Sequence, residues 1–564
     1  MKKLLIAIAI FTFLFACKEE KKTTLEEKSI ALTDSIPKQD KNIPFVWEGA
    51  NIYFLMTDRF NNGNPENDTN FERNNETGIL RGFEGGDIQG IIQKIEDGYF
   101  TDLGVNAIWF TPVVEQIHGD TDEGTGNTYG YHGYWTKDWT TLDPNFGTHE
   151  DLEQLVKIAH GKGIRILMDV VLNHTGPVTD EDPVWPAEWV RTEPTCEFTT
   201  YENTTSCTLV NNLPDVYTKS DETVELPDPL LAKWKAEGRL STELDELQLF
   251  FERTGYPRAP RFYIIKWLTD YVNALGIDGF RVDTVKHVDE KAWAELYKEA
   301  AYAFTTWKKK HPDEVLDDNS FFMVGEVYNY GISGGREFDF GDKKVDYFNH
   351  GFKSLINFEL KNDALNDYET VFKKYHDLLN SKLQGKSVLN YLSSHDDGAP
   401  FDKERKKPYY AANILLLTPG ASQIYYGDET ARSLVIDSTQ GDATLRSFMN
   451  WEDLDSIPET KKIHDHWQKL GKFRNNHPAI GAGKHKRLAK KPYVFSRTFL
   501  EGEYKDKVVV GLDLPKGKKS LWVKGFFGDG TKLYDTYSET EVEVKNGKVV
   551  LENDYNIALL ELVQ

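Results

Sequence analysis

The sequence predicts an α/β fold: a (β/α)₈ TIM barrel, an inserted domain after its third strand, and a C-terminal antiparallel β-sandwich. Three observations predict it. Short apolar runs alternate with amphipathic helical segments from about residue 45 to about 475, the pattern of parallel strands buried on both faces. That alternation breaks once, over residues 176–261, where Thr, Glu, Pro and Asp dominate. After about residue 476 it gives way to closely spaced β-type runs with short turns.

The barrel strands are read in order as "NIYFLM" from Asn51, "AIWFTP" from Ala107, "RILMDVVL" from Arg165, "IDGFRVD" from Ile277 and "FFMVGEV" from Phe321. A less distinct sixth lies near Val345–Phe348, and "VLNYLSS" from Val388 and "SQIYYG" from Ser422 complete the set. So many alternating units favour a closed barrel over an open doubly wound sheet. One helix is signalled at its start: "THEDLEQLVKIAHGKG" opens on Thr148 as N-cap with Asp151 in its first turn. The barrel therefore takes residues 45–175 and 262–475, the insert 176–261 and the β domain 476–564. So long an insertion in a βα loop is usually functional.

With 564 residues, roughly two to four domains are expected. The 13 Trp, 27 Tyr and 32 Phe suffice for a large core and leave aromatic rings over for exposed stacking surfaces. A net charge of −23 argues against nucleic acid, whose phosphates need a basic footprint. The N-terminus, "MKKLLIAIAIFTFLFAC", has two lysines, an apolar run too short to span a bilayer, and a small residue before Cys17. It reads as a signal peptide over residues 1–16. "LFAC" is similar to a bacterial lipoprotein signal, cut before a lipid-modified Cys17. Residues 17–44 form a charged tether without apolar periodicity, and its "KEEKK" resembles an export tag to the cell surface. The expected place is the cell envelope, on the outer membrane, with contact to the bilayer through that lipid alone. Cys196 and Cys207, the remaining cysteines, are either two thiols or, outside the cytoplasm, a bridge contributing roughly 3 kcal/mol.

In a barrel of this kind the strand C-terminal ends face the active site. Those ends supply Asp169, Asn173 and His174, then Arg281 and Asp283, then Glu326, then His395 and Asp396. Seen alone, each is an ordinary ion pair or a solvated side chain. Together, Asp283, Glu326 and Asp396 form the inventory that glycosidic-bond cleavage needs: an acid for the leaving oxygen and a carboxylate for the anomeric carbon.

"DVVLNH" (Asp169–His174), "LPD" (Leu213–Asp215), "GFRVDTVKH" (Gly279–His287), "GEV" (Gly325–Val327) and "SSHDD" (Ser393–Asp397) resemble, in order, the motifs of the α-amylase family, glycoside hydrolase family 13. "YGYHGYWTKDWTTLDPNFGT" (Tyr129–Thr148) is similar to that family's segment before the third strand. The resemblance implies that Asp283 is the nucleophile, Glu326 the acid/base and Asp396 the stabiliser of the transition state. It implies that Arg281 orients Asp283, that His132, His174 and His395 contact the sugar, that Tyr134 stacks on it, and that Lys286 meets the leaving-group side.

The resemblance also implies structural calcium. Asn173, Asp215 and the backbone carbonyl of His287 match the oxygen ligands of one site; where some relatives carry Glu, this sequence has Thr205, with only a hydroxyl or carbonyl to offer. A second site resembles the first-loop site of cyclodextrin glucanotransferases, at Asn62, Asn64, Asn67, Asp68, Gly85 and Asp87; its alternative is a metal-free Asn/Gly turn. The last motif departs from the family's Asn-His-Asp, with Ser394 before His395.

The function implied is an α-amylase, which hydrolyses internal α-1,4 bonds of starch-like glucans with retention. Two rivals are a glucanotransferase, with a sugar acceptor in place of water, and a catalytically silent starch-binding lipoprotein. The single C-terminal β domain speaks against the first, because cyclodextrin formers usually carry extra modules. The acid/base pair speaks against the second.

Overall fold

The computed structural model describes residues 43–122 and 124–563. The signal-peptide and tether readings, Cys17 included, lie outside them apart from Ile43 and Pro44. Eight parallel strands close into a barrel in chain order: β1 (Asn51–Leu55), β2 (Ala107–Phe110), β3 (Arg165–Val170), β4 (Gly279–Val282), β5 (Phe322–Gly325), β6 (Ser354–Asn357), β7 (Ser387–Asn390) and β8 (Ala421–Tyr425). Every residue of every one of these strands is buried, as parallel strands covered by helices must be.

The sixth strand is not at Val345–Phe348. Lys344–Val345 pairs antiparallel with Phe338–Asp339, and Tyr347–His350 turns as a short 3₁₀ helix. The barrel strand is "SLIN", half polar, which hides it from an apolar reading. Its asparagine is satisfied inside: Asn357 Nδ2 donates to Asn390 Oδ1 at 2.9 Å, and Asn390 Nδ2 to the Pro419 carbonyl at 3.0 Å.

Helix α1 (His149–Gly161) begins as expected, with a reciprocal capping box between Thr148 and Asp151. The inserted segment carries the Cys196–Cys207 disulfide, a two-residue pairing of Val190–Arg191 with Asp215–Val216, and helices α2 (Asp228–Ala236) and α3 (Leu240–Thr254). It is welded to the barrel by buried tryptophans: Trp189 stacks on Trp267, and Trp234 meets the same ring edge-on. Burying each such ring contributes about 2–3 kcal/mol.

Beyond helix Pro458–Asn476, a six-stranded antiparallel sheet and the antiparallel pair Gly517–Trp522/Lys548–Asn553 close over their own core of Val494, Val509, Leu521, Val549 and Leu560. This is the expected sandwich. Among the described residues no helix is long and apolar enough to cross a membrane.

Candidate active site

The pairing register puts Arg281 of β4 level with Asp169 of β3 and Val324 of β5. Past these strands the chain turns, and its backbone ties the turns together. Asp283 N–H donates to the Val170 carbonyl (3.0 Å) and Glu326 N–H to the Val282 carbonyl (2.9 Å). Thr284 N–H donates to Glu326 Oε2 at 2.8 Å. Thr284 adopts φ 49°, a left-handed conformation that a β-branched residue rarely takes and that only a rigid surrounding maintains.

Arg281 organises the carboxylates. Its Nη1 donates to Asp283 Oδ1 at 2.8 Å and to Asp169 Oδ1 at 3.0 Å, while Nη2 lies 4.0 Å from Glu326 Oε2. Asp169 also accepts from Trp109 Nε1 (2.9 Å) and the Tyr134 hydroxyl (2.8 Å). Burial, offset in part by Arg281, pushes its carboxyl up to about 7. Burial and the charge of Asp283 push Glu326 up to about 8, so it holds its proton at neutral pH.

The sugar-contact candidates line the same mouth. Tyr134 has its hydroxyl fixed by Asp169; its ring stacks on His395 at 5.2 Å and on His132 at 5.8 Å. His132 Nδ1 accepts from Tyr134 N–H at 3.1 Å, and His174 Nε2 lies 3.1 Å from the Tyr134 carbonyl. Burial lowers all three histidines below their usual range, so each is neutral near pH 7. Asp396 is the open member, its side chain 35% exposed, with Ser394 Oγ donating to it at 3.3 Å. The serine thus keeps a hydrogen bond where the family pattern has Asn. Lys286 Nζ sits 5.2 Å from the Tyr328 ring centre and 5.8 Å from that of Phe198.

Three contributors had no role assigned from the sequence. Asp169, named there only as a strand-end residue heading "DVVLNH", carries the far side of Arg281. Trp109 lies beneath Arg281, 5.0 Å from the guanidinium. Arg446 donates from Nε to the His395 carbonyl at 2.9 Å and pairs with Asp442; no motif marks it.

The candidate calcium residues divide. Asn173 Oδ1 faces the His287 carbonyl and Asp215 Oδ1, 3.2 Å from each, an oxygen-to-oxygen meeting that a cation or a turned amide relieves. Arg191 takes the other Asp215 oxygen at 2.8 Å. Thr205 turns its hydroxyl to the Tyr201 carbonyl (2.9 Å), and it is the neighbouring Thr204 carbonyl that lies 3.2 Å from His287 Nδ1. In the first loop, Asn62 Nδ2 donates to Asp68 Oδ1 at 2.9 Å, and the Asn62 and Asn67 Oδ1 atoms are buried without partners. At Gly85, φ 89°, a Cβ would lie 2.5 Å from Asn62 Nδ2. Asp87 accepts from the N–H groups of Gly63, Asn64 and Gly90, and Asn64 Oδ1 from that of Glu66, so these two shape the loop. Among the described residues no three His, Cys, Asp or Glu side chains gather as a metal cluster; each candidate set combines one carboxylate, Asp215 or Asp68, with amide and carbonyl oxygens, donor types that calcium accepts.

A closed parallel barrel with three carboxylates and an arginine at the C-terminal ends of its strands defines a barrel glycoside hydrolase. The sequence model "Alpha amylase, catalytic domain" matches residues 54–220 and 257–483, and with it the chain belongs to the α-amylase family. Residues between these spans, which hold α2 and α3, fall outside the match. A periplasmic alpha-amylase of Escherichia coli (strain K12) is 37% identical over 523 residues, covering 81% of this chain and 71% of that protein. The alpha-amylase of Geobacillus thermoleovorans, solved with acarbose, shares the fold with a TM-score of 0.63 at 21% identity, over 92% of this chain and all of that one. So does CldA, a cyclomaltodextrin glucanotransferase with a three-domain ABC distribution, with a TM-score of 0.61 at 21% identity, over 91% and 99% of the two chains.

Proposed function

We propose that the protein is an endo-acting α-amylase that hydrolyses α-1,4-glucosidic bonds of starch-like glucans by a retaining double displacement. The observation that carries this reading is the pairing of a protonated Glu326, pushed up to about 8, with an Asp283 whose oxygen accepts a charge-assisted bond from Arg281. In the first step Glu326 gives its proton to the leaving glycosidic oxygen as an Asp283 oxygen bonds to the anomeric carbon. In the second, Glu326 takes a proton from water as that water displaces Asp283. His132, His174 and His395, neutral and fixed, hydrogen-bond the sugar; Tyr134 stacks on its flat face and Asp396 grips its hydroxyls.

The resemblance to the E. coli enzyme favours hydrolysis over transfer. The single C-terminal domain no longer does, because CldA pairs transferase activity with three domains. Following amylose cleavage by proton NMR tests the proposal: the α-anomer must appear first, and a first-formed β-anomer rejects double displacement. Amylose, pullulan and cyclodextrins assayed side by side separate hydrolysis from transfer.

Calcium, when bound, supplies positive charge to converging oxygens. Asn173, Asp215 and the His287 carbonyl would hold one ion, tying the insert to β4; Asn62, Asn67 and Asp68 would hold another. We place the protein in the cell envelope, anchored through Cys17; the periplasmic relative and the disulfide support export.

A further inference from the structure

The motif "SSHDD" ends in a second aspartate, Asp397, that the mechanism leaves unused. Its carboxylate is buried and held from two neighbouring strand ends. Lys361, on the short helix Leu360–Asp363 past β6, donates from Nζ to Asp397 Oδ1 at 2.5 Å and also meets Oδ2. The hydroxyl of Tyr391, the first residue past β7, donates to Oδ2 at 2.6 Å. Phe358, the first residue past β6, packs edge-on against the Tyr391 ring at 5.5 Å. Within the loop, Ala399 N–H donates to Asp397 Oδ1 at 3.1 Å, and Phe401 N–H to the Leu392 carbonyl at 2.8 Å.

Asp396 has no such support of its own. Its side chain is 35% exposed, against 11% for Asp283 and 8% for Glu326, and its hydrogen bond comes from Ser394 in the same loop, at 3.3 Å. A carboxylate that grips sugar hydroxyls must still stand in one place, because a misplacement of about 1 Å costs roughly 100-fold in rate. Its two neighbours supply that order. The His395 carbonyl accepts from Arg446 Nε at 2.9 Å, and the Asp397 carboxylate is locked by a charge-assisted bond and a hydroxyl. Consecutive Cα atoms stand about 3.8 Å apart, so clamping both neighbours fixes the stem of Asp396 and leaves its carboxylate free for substrate. An exposed lysine–aspartate pair would hold little; this one is 13% and 9% exposed, and losing the lysine leaves a buried charge without its partner.

We propose that Lys361, Asp397 and Tyr391 are positioning residues that set Asp396 for its grip on the sugar in the transition state. The proposal rests on the role given to Asp396 under the proposed function.

The test compares Lys361→Met and Tyr391→Phe in the full chain, with Lys374→Met as control. Lys374 pairs with Glu359 and Asp363, so its loss loosens the same short helix without touching Asp397. Lys361→Met should lower kcat on maltoheptaose about 10- to 100-fold, and Tyr391→Phe about fivefold, with KM changed less than about threefold. Acarbose affinity, measured by titration calorimetry, should weaken in step with kcat, as expected of a group that acts in the transition state. A variant that merely loses folded protein would bind fewer equivalents at an unchanged Kd. Values of kcat and acarbose Kd within about twofold of wild type in both variants, or an equal loss in Lys374→Met, overturn the proposal. If Lys361→Met does not fold, Tyr391→Phe, which removes one hydroxyl, decides the matter alone. The two readings fail separately: an Asp396→Asn enzyme of wild-type activity refutes the role of Asp396, whereas an inactive Asp396→Asn beside unaffected Lys361→Met and Tyr391→Phe refutes the positioning.

Discussion

Arg281 of β4 and Asp283, the first residue past its end, are joined by a 2.8 Å bond from Nη1 to Oδ1. The arginine is buried and faces three carboxylates, whose negative charge it offsets. Asp283→Asn removes the attacking oxygen and leaves the fold intact. It should lower kcat on amylose by about 10⁴-fold or more while starch is still retained in an affinity gel. Activity within tenfold of wild type rejects the nucleophile.

Arg281→Leu should act differently, since it strands Asp169 and Asp283 without a cation. Losing one partner of a buried pair costs about 3–5 kcal/mol, so the melting temperature should fall along with kcat. A melt unchanged by the substitution contradicts the organising role given to Arg281.

Glu326 must be protonated to act as an acid, and burial with the Asp283 charge pushes it up to about 8. Activity is therefore present below that pH and declines as pH rises through it. The kcat/KM profile for a short malto-oligosaccharide should show its alkaline limb near pH 8, reporting the coupled carboxylates as a set. A limb near pH 5 contradicts the raised acid.

How much of this could be read beforehand follows from the chemistry of each signal. Strands such as "AIWF" announce themselves because parallel strands are apolar on both faces. "SLIN" does not, because it is half polar and Asn357 is satisfied by a group that only the closed barrel brings near. Arg281, Asp283, Glu326 and Asp396 were legible as charges at strand ends. Arg446 reaches His395 across 51 residues and has no local pattern to betray it. Asp87 is a ligand candidate by type, and its oxygens also accept from three backbone amides, a use that composition cannot show.

Calcium should tie the insert to β4 through Asn173, Asp215 and His287. Binding the folded state alone stabilises by about 2.7 kcal/mol at a hundredfold excess over Kd, so excess EGTA should lower the melting temperature and added calcium restore it. Asn173→Leu should abolish most of that difference. A melt indifferent to EGTA refutes the metal and leaves a turned Asn173 amide as the reading of the same atoms.

Far from the site, His477 lies buried between Asp506 Oδ1 at 2.8 Å and Glu561 Oε2 at 2.6 Å, where helix Pro458–Asn476 meets the β-sandwich. Burial opposes its charge, but the two carboxylates prevail and raise it to about 9. A histidine raised from an ordinary value near 6.5 stabilises the fold fully below that value and progressively less up to about 9. The difference corresponds to about 3 kcal/mol. Urea midpoints should thus fall between pH 7 and 9.5 in the wild type. His477→Gln should start lower at pH 7 and show a flatter decline, since it has no proton to lose. An equal slope in the two proteins means that the proton on His477 does not hold this junction together.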